Sequence, residues 1–360
     1  MSITAVQSLS QLTSTMVAAY GDFQEVNGNQ ETFKAALTDQ DRGVKFTSTQ
    51  ADAFLTRYIL KHHLPNVALN GFSATVFWDD IDKKHVIAMR GTEVNSVGQG
   101  ILDLIAQDGL SIAGNGFANT QAVEMMRYYR RLTTAGGQAV QYTEQQKWLM
   151  FAISNSLLVP LAAMVPVLTT ALAGAYLLFK QGLAADTGIT LPAGSLGLSV
   201  LSPTETVNVT GHSLGGHLAI LFARIFPANV DEVVTLNAPG LFYQGDRALT
   251  AFGFPPPNSN QITRIEADGN ADLELGSTYM TSALALGPNQ ITYSDTETGF
   301  DLSFGNDHTR ARAVVRIDVA AIDVLTGGML ADRLHGGAEN GVTESNAING
   351  RAKSDAPAHH

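Results

Sequence analysis

Residues 209–216 read Val-Thr-Gly-His-Ser-Leu-Gly-Gly, which places a serine in the Gly-x-Ser-x-Gly pattern at Gly211, Ser213 and Gly215. That spacing suits a nucleophilic hydroxyl on a tight strand-to-helix turn, where a Cβ at either glycine would collide with the reversing chain. Such a serine needs a base, the base needs an orienting carboxylate, and the two follow in the order carboxylate then histidine. Of the nine histidines, two lie well after Ser213 and away from the terminus. His308 sits in a loop, Gly305-Asn-Asp-His-Thr309, ahead of the apolar segment 311–319, and a sheet-rim loop is where a base belongs. His335, in Arg333-Leu-His-Gly336, is the alternative and reads as a helix-end residue. The carboxylate should leave the end of the strand Gln261–Ala267, where Asp268 follows directly and Asp272 lies one turn on. Both aspartates remain candidates. Two donors must face the developing oxyanion. One is the backbone N–H of Leu214, just after the nucleophile. The other is Thr92, in Gly91-Thr-Glu93 after the strand His85–Arg90, which offers its N–H and its hydroxyl.

The elements that would carry these groups are legible in the same chain. Residues 206–210 alternate apolar and polar as a strand does, and residues 217–226 are rich in helix formers up to Pro227. Helices are expected over 3–20, over 48–63 with Ala53, Leu55, Tyr58 and Ile59 as apolar positions, and over 120–132 with Ala122, Val123, Met126 and Tyr129 inward. Strands are expected at 73–78 and 85–89, joined by the turn 79–84, and at 232–236 and 261–267. Strands alternating with helices around an elbow predict a mostly parallel sheet flanked by helices on both faces. No internal repeat is found.

Residues 148–179 carry no charge and are long enough to span a bilayer. Pro160, Pro166 and Gly174 interrupt the run, and it falls inside the unit that contains the elbow. A membrane span and plain core helices are two readings. The favoured one is an apolar helical lid or cap over 148–185, of the kind that opens at a lipid surface. One catalytic domain over 1–335 is therefore expected, followed by a polar, disordered tail over 336–360.

A hydrophobic fraction of 45% in 360 residues provides for a substantial core, and a net charge of −11 argues against nucleic acid as a partner. The absence of cysteine excludes disulfides, thiolate metal sites and a cysteine nucleophile. The opening Met1-Ser-Ile-Thr-Ala-Val has no basic segment followed by an apolar one, so the expectation is secretion by a leaderless route, with cytoplasmic residence as the alternative.

Met89-Arg-Gly-Thr-Glu93, Gly211-His-Ser-Leu-Gly-Gly216 and Asn306-Asp-His308 together resemble the class 3-type lipases. The likeness is strongest to leaderless, cysteine-free bacterial lipases and phospholipases A1 of the calcium-dependent group. It runs in order and spacing over residues 70–130 and 200–320. The resemblance implies an α/β-hydrolase fold with Ser213 as nucleophile, His308 as base and the Arg-Gly-Thr segment at the oxyanion. The family's Asn-Asp-apolar context favours Asp272, in Asn270-Ala-Asp272-Leu273, if one residue is inserted, and that insertion keeps Asp268 open. The C-terminal nonapeptide calcium repeats of many relatives have no counterpart here. No cofactor is expected for the chemistry; a structural calcium is left open and its ligands are unassigned. The implied activity is hydrolysis of lipid acyl esters, as a triacylglycerol lipase or phospholipase A1. The implied partners are the lipid substrate and a transient membrane or emulsion interface, with a monomer favoured. The alternatives are a general esterase or polyesterase, and a non-catalytic membrane-associating protein.

Overall fold

The structure, a computed structural model, describes residues 3–24, 26, 28–39, 46–66, 71–91, 118–154, 177, 196–236, 238, 240, 241, 243–267 and 289–293. Among the described residues, seven strands form one sheet in sequence order: β1 (Tyr58–Leu64), β2 (Ala74–Asp79), β3 (Lys84–Met89), β4 (Val207–His212), β5 (Val230–Leu236), β6 (Ile262–Ala267) and β7 (Asn289–Tyr293). The first three pair antiparallel. From β3 onward every pairing is parallel, with Met89 opposite Gly211 and His212 opposite Leu236. The carboxyl ends of β3 to β6 therefore share one edge, the side on which open α/β sheets bind ligands.

Helices cover both faces. On one lie α1 (Ile3–Ala18), α2 (Gln30–Thr38) and α3 (Ser48–Leu55), packed through Met16, Phe33 and Phe54 onto Phe77, Ala88 and Val234. On the other lie α4 (Asn119–Thr133), α5 (Glu144–Ser154), α6 (Leu214–Ile225) and α7 (Tyr243–Ala251). There Met126, Leu149 and Phe222 meet Val76, Ile87 and Val209. The expected inward stripe of α4, Ala122, Val123, Met126 and Tyr129, is buried. All twelve residues of α6 are buried, so this helix is the centre of its layer. Its one cation, Arg224, is fully enclosed and bonds the Asp246 carboxylate, the Asp246 carbonyl and the Thr250 hydroxyl on α7. Desolvation lowers the Arg224 pKa, and Asp246 opposes that shift.

Two sequence expectations change. Residues 48–63 do not form one helix: α3 ends at Leu55, and Tyr58–Leu64 pairs with β2 instead, from Tyr58 opposite Asp79 to Leu64 opposite Ala74. Arg57 marks the switch, its guanidinium 2.7 Å from the buried Asp79 carboxylate. A partner strand at a distance in sequence outweighs the local period. Helix α3 does begin at Ser48, as expected, with Thr47 and Gln50 forming a capping box. Helix α2, opened by the Asn29 side chain, was not anticipated.

The uncharged run begins in α5, where Leu149, Met150, Phe151, Ala152 and Ile153 are buried in the core. The rest of 148–185, apart from the exposed Leu177, lies outside the described residues, as does 336–360. Among the described residues no helix is long and apolar enough to cross a membrane.

The edge strand β1 carries a pH-sensitive group. His63 accepts or donates at Nδ1 to the Thr75 hydroxyl at 2.9 Å and meets Phe23 edge-on. Burial lowers its pKa from 6.5 to about 4, with Arg90 and His62 adding to the shift and Asp22 opposing it. The folded protein then binds fewer protons than the unfolded chain between those values. This contribution to stability is fully present above pH 6.5 and is lost as pH falls toward 4. The loss amounts to at most about 3 kcal/mol. Unfolding midpoints measured at pH 7 and 4.5 should fall less in His63→Gln than in the wild type. An identical fall in both proteins would contradict this assignment.

Candidate active site

Ser213 stands between the carboxyl end of β4 and the first turn of α6, with φ 53° and ψ −125°. A side chain rarely adopts such a backbone, and its cost is of order 1–3 kcal/mol. The surroundings impose it. The Ser213 N–H donates to the Leu236 carbonyl at 2.9 Å, and the Ser213 carbonyl accepts from Gly216 and His217 at 3.0 and 3.1 Å. The turn closes only because two side chains are absent. A Cβ on Gly211 would overlap the Gly215 backbone, and one on Gly215 would overlap the backbone of Met89 and Arg90. A mostly parallel sheet covered on both faces, with a serine elbow between a central strand and the following helix, is the α/β-hydrolase fold.

Leu214 is the first residue of α6, so its N–H has no intrahelical acceptor by position. The helix N-terminus also directs the positive end of its dipole at this spot. Gly91 closes the other side. A Cβ there would lie 2.5 Å from both the His212 carbonyl and the Tyr20 hydroxyl, and 3.4 Å from the Ser213 Cβ. The chain after β3 therefore leaves the sheet directly beside the serine.

Two contacts around the elbow escaped the sequence reading. The Tyr20 hydroxyl, just past α1, shares a 3.0 Å hydrogen bond with His212 Nδ1, both groups buried. One turn into α6, His217 is fully buried and bonds to Gly240 and Ala118. A histidine directly ahead of the apolar run Leu218–Phe222 was the available signal for the second. Nothing local marked Tyr20.

The described residues thus bring together Ser213, Leu214 and Gly91. Thr92, Asp268, Asp272, His308 and His335 lie outside them. Thr92 follows Gly91 in sequence, and β6 ends at Ala267, one residue before Asp268, at the same sheet edge as Ser213. Among the described residues no group of three or more histidines and carboxylates could hold a metal.

No protein-family model matches the chain, and no curated protein matches it. Among solved structures, lipase II from Rhizopus niveus aligns over 76% of this chain and 74% of its own, with 16% identity and a TM-score of 0.32. A lipase from Rhizopus microsporus var. chinensis aligns over 76% and 69%, with 14% identity and a TM-score of 0.32. The Lip2 lipase from Yarrowia lipolytica aligns over 81% and 80%, with 14% identity and a TM-score of 0.36. The fold assignment rests on the sheet and the elbow.

Backbone strain at the nucleophile yields a stability prediction. Ser213→Ala keeps a Cβ at φ 53°, whereas Ser213→Gly removes it. Relief of the strain, less the extra chain entropy of glycine, should leave the glycine variant about 1 kcal/mol more stable than the alanine variant. Urea denaturation of the two decides the matter, and equal midpoints would count against a strained serine.

Proposed function

We propose that this protein is a serine carboxylic-ester hydrolase acting on lipid acyl esters, as a triacylglycerol lipase or phospholipase A1. The observation that carries the reading is Ser213 itself, strained at φ 53° on a backbone-tight elbow at the head of α6. A fold rarely maintains such a conformation without a use for the side chain it presents.

In this proposal His308 takes the Ser213 proton as Oγ attacks the ester carbonyl carbon. The N–H groups of Leu214 and Thr92 stabilise the oxyanion, and Asp268 or Asp272 orients the imidazole. His308 then protonates the departing alcohol, and water, activated the same way, releases the fatty acid from the acyl-enzyme. The lipid substrate class rests on the uncharged run over 148–179. A lid would be formed by the part of that run beyond α5, because Leu149–Ile153 already belong to the core. Secretion, a structural calcium and a monomeric state belong to the same proposal.

A panel of nitrophenyl esters of increasing acyl length, followed by tributyrin, triolein and phosphatidylcholine with and without chelator, tests it. Ser213→Ala should lower turnover at least ~10³-fold while the folded structure persists. Undiminished hydrolysis in that variant would sink the proposal. A uniform preference for short soluble esters, with no gain on emulsified substrate, would leave a general esterase instead.

A further inference from the structure

Two residues next to Ser213 are held from the far end of the sequence. His212 precedes the serine as the last residue of β4, and Gly91 lies just past the end of β3. The Tyr20 hydroxyl reaches both. It shares a 3.0 Å hydrogen bond with His212 Nδ1, and it lies 2.5 Å from where a Cβ on Gly91 would sit. The same point is 2.5 Å from the His212 carbonyl and 3.4 Å from the Ser213 Cβ. One spot beside Gly91 is therefore in contact with the N-terminal segment, the elbow strand and the nucleophile. Tyr20, His212 and Gly91 are all buried.

Tyr20 is itself firmly placed. Its N–H donates to the Val17 carbonyl at 3.1 Å, and the Gly21 N–H donates to the Ala18 carbonyl at 2.8 Å, so the turn that closes α1 fixes its backbone. Its ring belongs to an apolar cluster with Met16, Phe23 and Leu236. A phenylalanine would fill that space equally well. What the hydroxyl adds is the contact with the elbow.

We infer that Tyr20 is a positioning residue for the reaction at Ser213, its hydroxyl holding His212 and Gly91 at the spacing that aims the serine. The inference rests on the ester-hydrolase reading. It assigns Tyr20 no part in making or breaking bonds. Without the hydroxyl, His212 Nδ1 loses this partner, and a gap one oxygen wide opens beside Gly91 and the strained turn. A nucleophile displaced by about 1 Å can lose roughly 10²-fold in rate. Such a loss falls on the transition state rather than on substrate binding, so it appears in kcat and not in KM.

The Thr15–Thr210 hydrogen bond, 2.8 Å long, joins the same helix to the same strand further back from the serine, and it provides the control. Tyr20→Phe removes the hydroxyl and keeps the ring, while Thr15→Val removes the other link. Full-length proteins are reacted with a fluorophosphonate that labels nucleophilic serines, which gives a labelling rate and a count of active sites. Then kcat and KM per labelled site are measured across the nitrophenyl ester series, and stability is followed in urea. In Tyr20→Phe, kcat and the labelling rate should fall about tenfold, evenly at every acyl length, with KM within about twofold of wild type. Thr15→Val should lower the unfolding midpoint and leave kcat within about twofold. If both variants lose stability and neither loses kcat, Tyr20 is structural only and the inference is overturned. A loss carried by KM, or confined to long esters, overturns it too. Should Tyr20→Phe not fold, His212→Asn and His212→Gln give the same reading. Asn retains a polar atom near Nδ1 for Tyr20 and Gln retains one near Nε2, so Asn should keep more of kcat, and equal values count against the role. A wild-type protein that the fluorophosphonate does not label overturns the ester-hydrolase reading, and the role of Tyr20 falls with it. A labelled wild type beside an equally fast Tyr20→Phe overturns the positioning role alone.

Discussion

Backbone packed on backbone, without intervening side chains, is the constraint from which the rest of this structure follows. Around Ser213 the chains of β3, β4 and α6 approach until no Cβ fits at Gly211 or Gly215. The closeness drives the chain from strand to helix in a single residue and holds that residue at φ 53°. A turn this tight is stable only if its strands are fixed from both sides. Parallel pairing of β4 with β3 and β5 supplies this in the plane of the sheet. Burial of all twelve residues of α6 supplies it out of the plane. Leu218, Ile220, Leu221 and Phe222 are each fully enclosed, at roughly 1.5–3 kcal/mol apiece. Against that sum the strain at one serine is small.

The opposite face of β4 is built on a different principle. Asn208, Thr210 and His212 point toward α1, and all three are buried. The Thr15 hydroxyl donates to the Leu12 carbonyl at 2.7 Å, so in its 2.8 Å contact with Thr210 it accepts. Tyr20 meets His212 in the same way at the far end of the strand. A polar stripe against a polar helix face is specific in a manner that apolar packing is not. If α1 shifted by one residue, these partners would be lost, and a buried donor or acceptor left unmade costs about 1–3 kcal/mol. The N-terminal helix thereby fixes the register of the elbow strand, and Tyr20, just past it, sets its hydroxyl against Gly91.

These two faces explain what the chain reveals when it is read alone. The elbow is legible because its constraint is local: two glycines and a serine at fixed spacing, with a strand before and a helix after. The hairpin of β2 and β3 is legible for the same reason, since Asp79–Lys84 announces its turn. By contrast β1 is hidden, because Ala53, Leu55, Tyr58 and Ile59 keep a helical period into a segment that only its pairing with β2 makes extended. The alternation over 206–210 is legible as a strand, but not that α1 is the element covering its polar side. Tyr20 and His212 are separated by 192 residues, and no spacing rule links them. The candidate triad partners of Ser213 rest on sequence order alone, since Asp268, Asp272 and His308 lie outside the described residues.

The two buried histidines beside the serine show how the fold separates rigidity from chemistry. A general base must change its protonation state during turnover, and it must therefore tolerate a charge. His217 is enclosed between an acceptor-only carbonyl and a donor-only amide, an arrangement that a second proton would break. His212 is buried against Tyr20. The His217 ring is not placed to gain and release a proton in each cycle. Sequence proximity to Ser213 makes it an obvious candidate, and its hydrogen bonds argue against it. A base for this serine must instead come from a segment that reaches the carboxyl edge of the sheet from outside the core. In the proposed mechanism that base is His308, which follows β7 in the sequence.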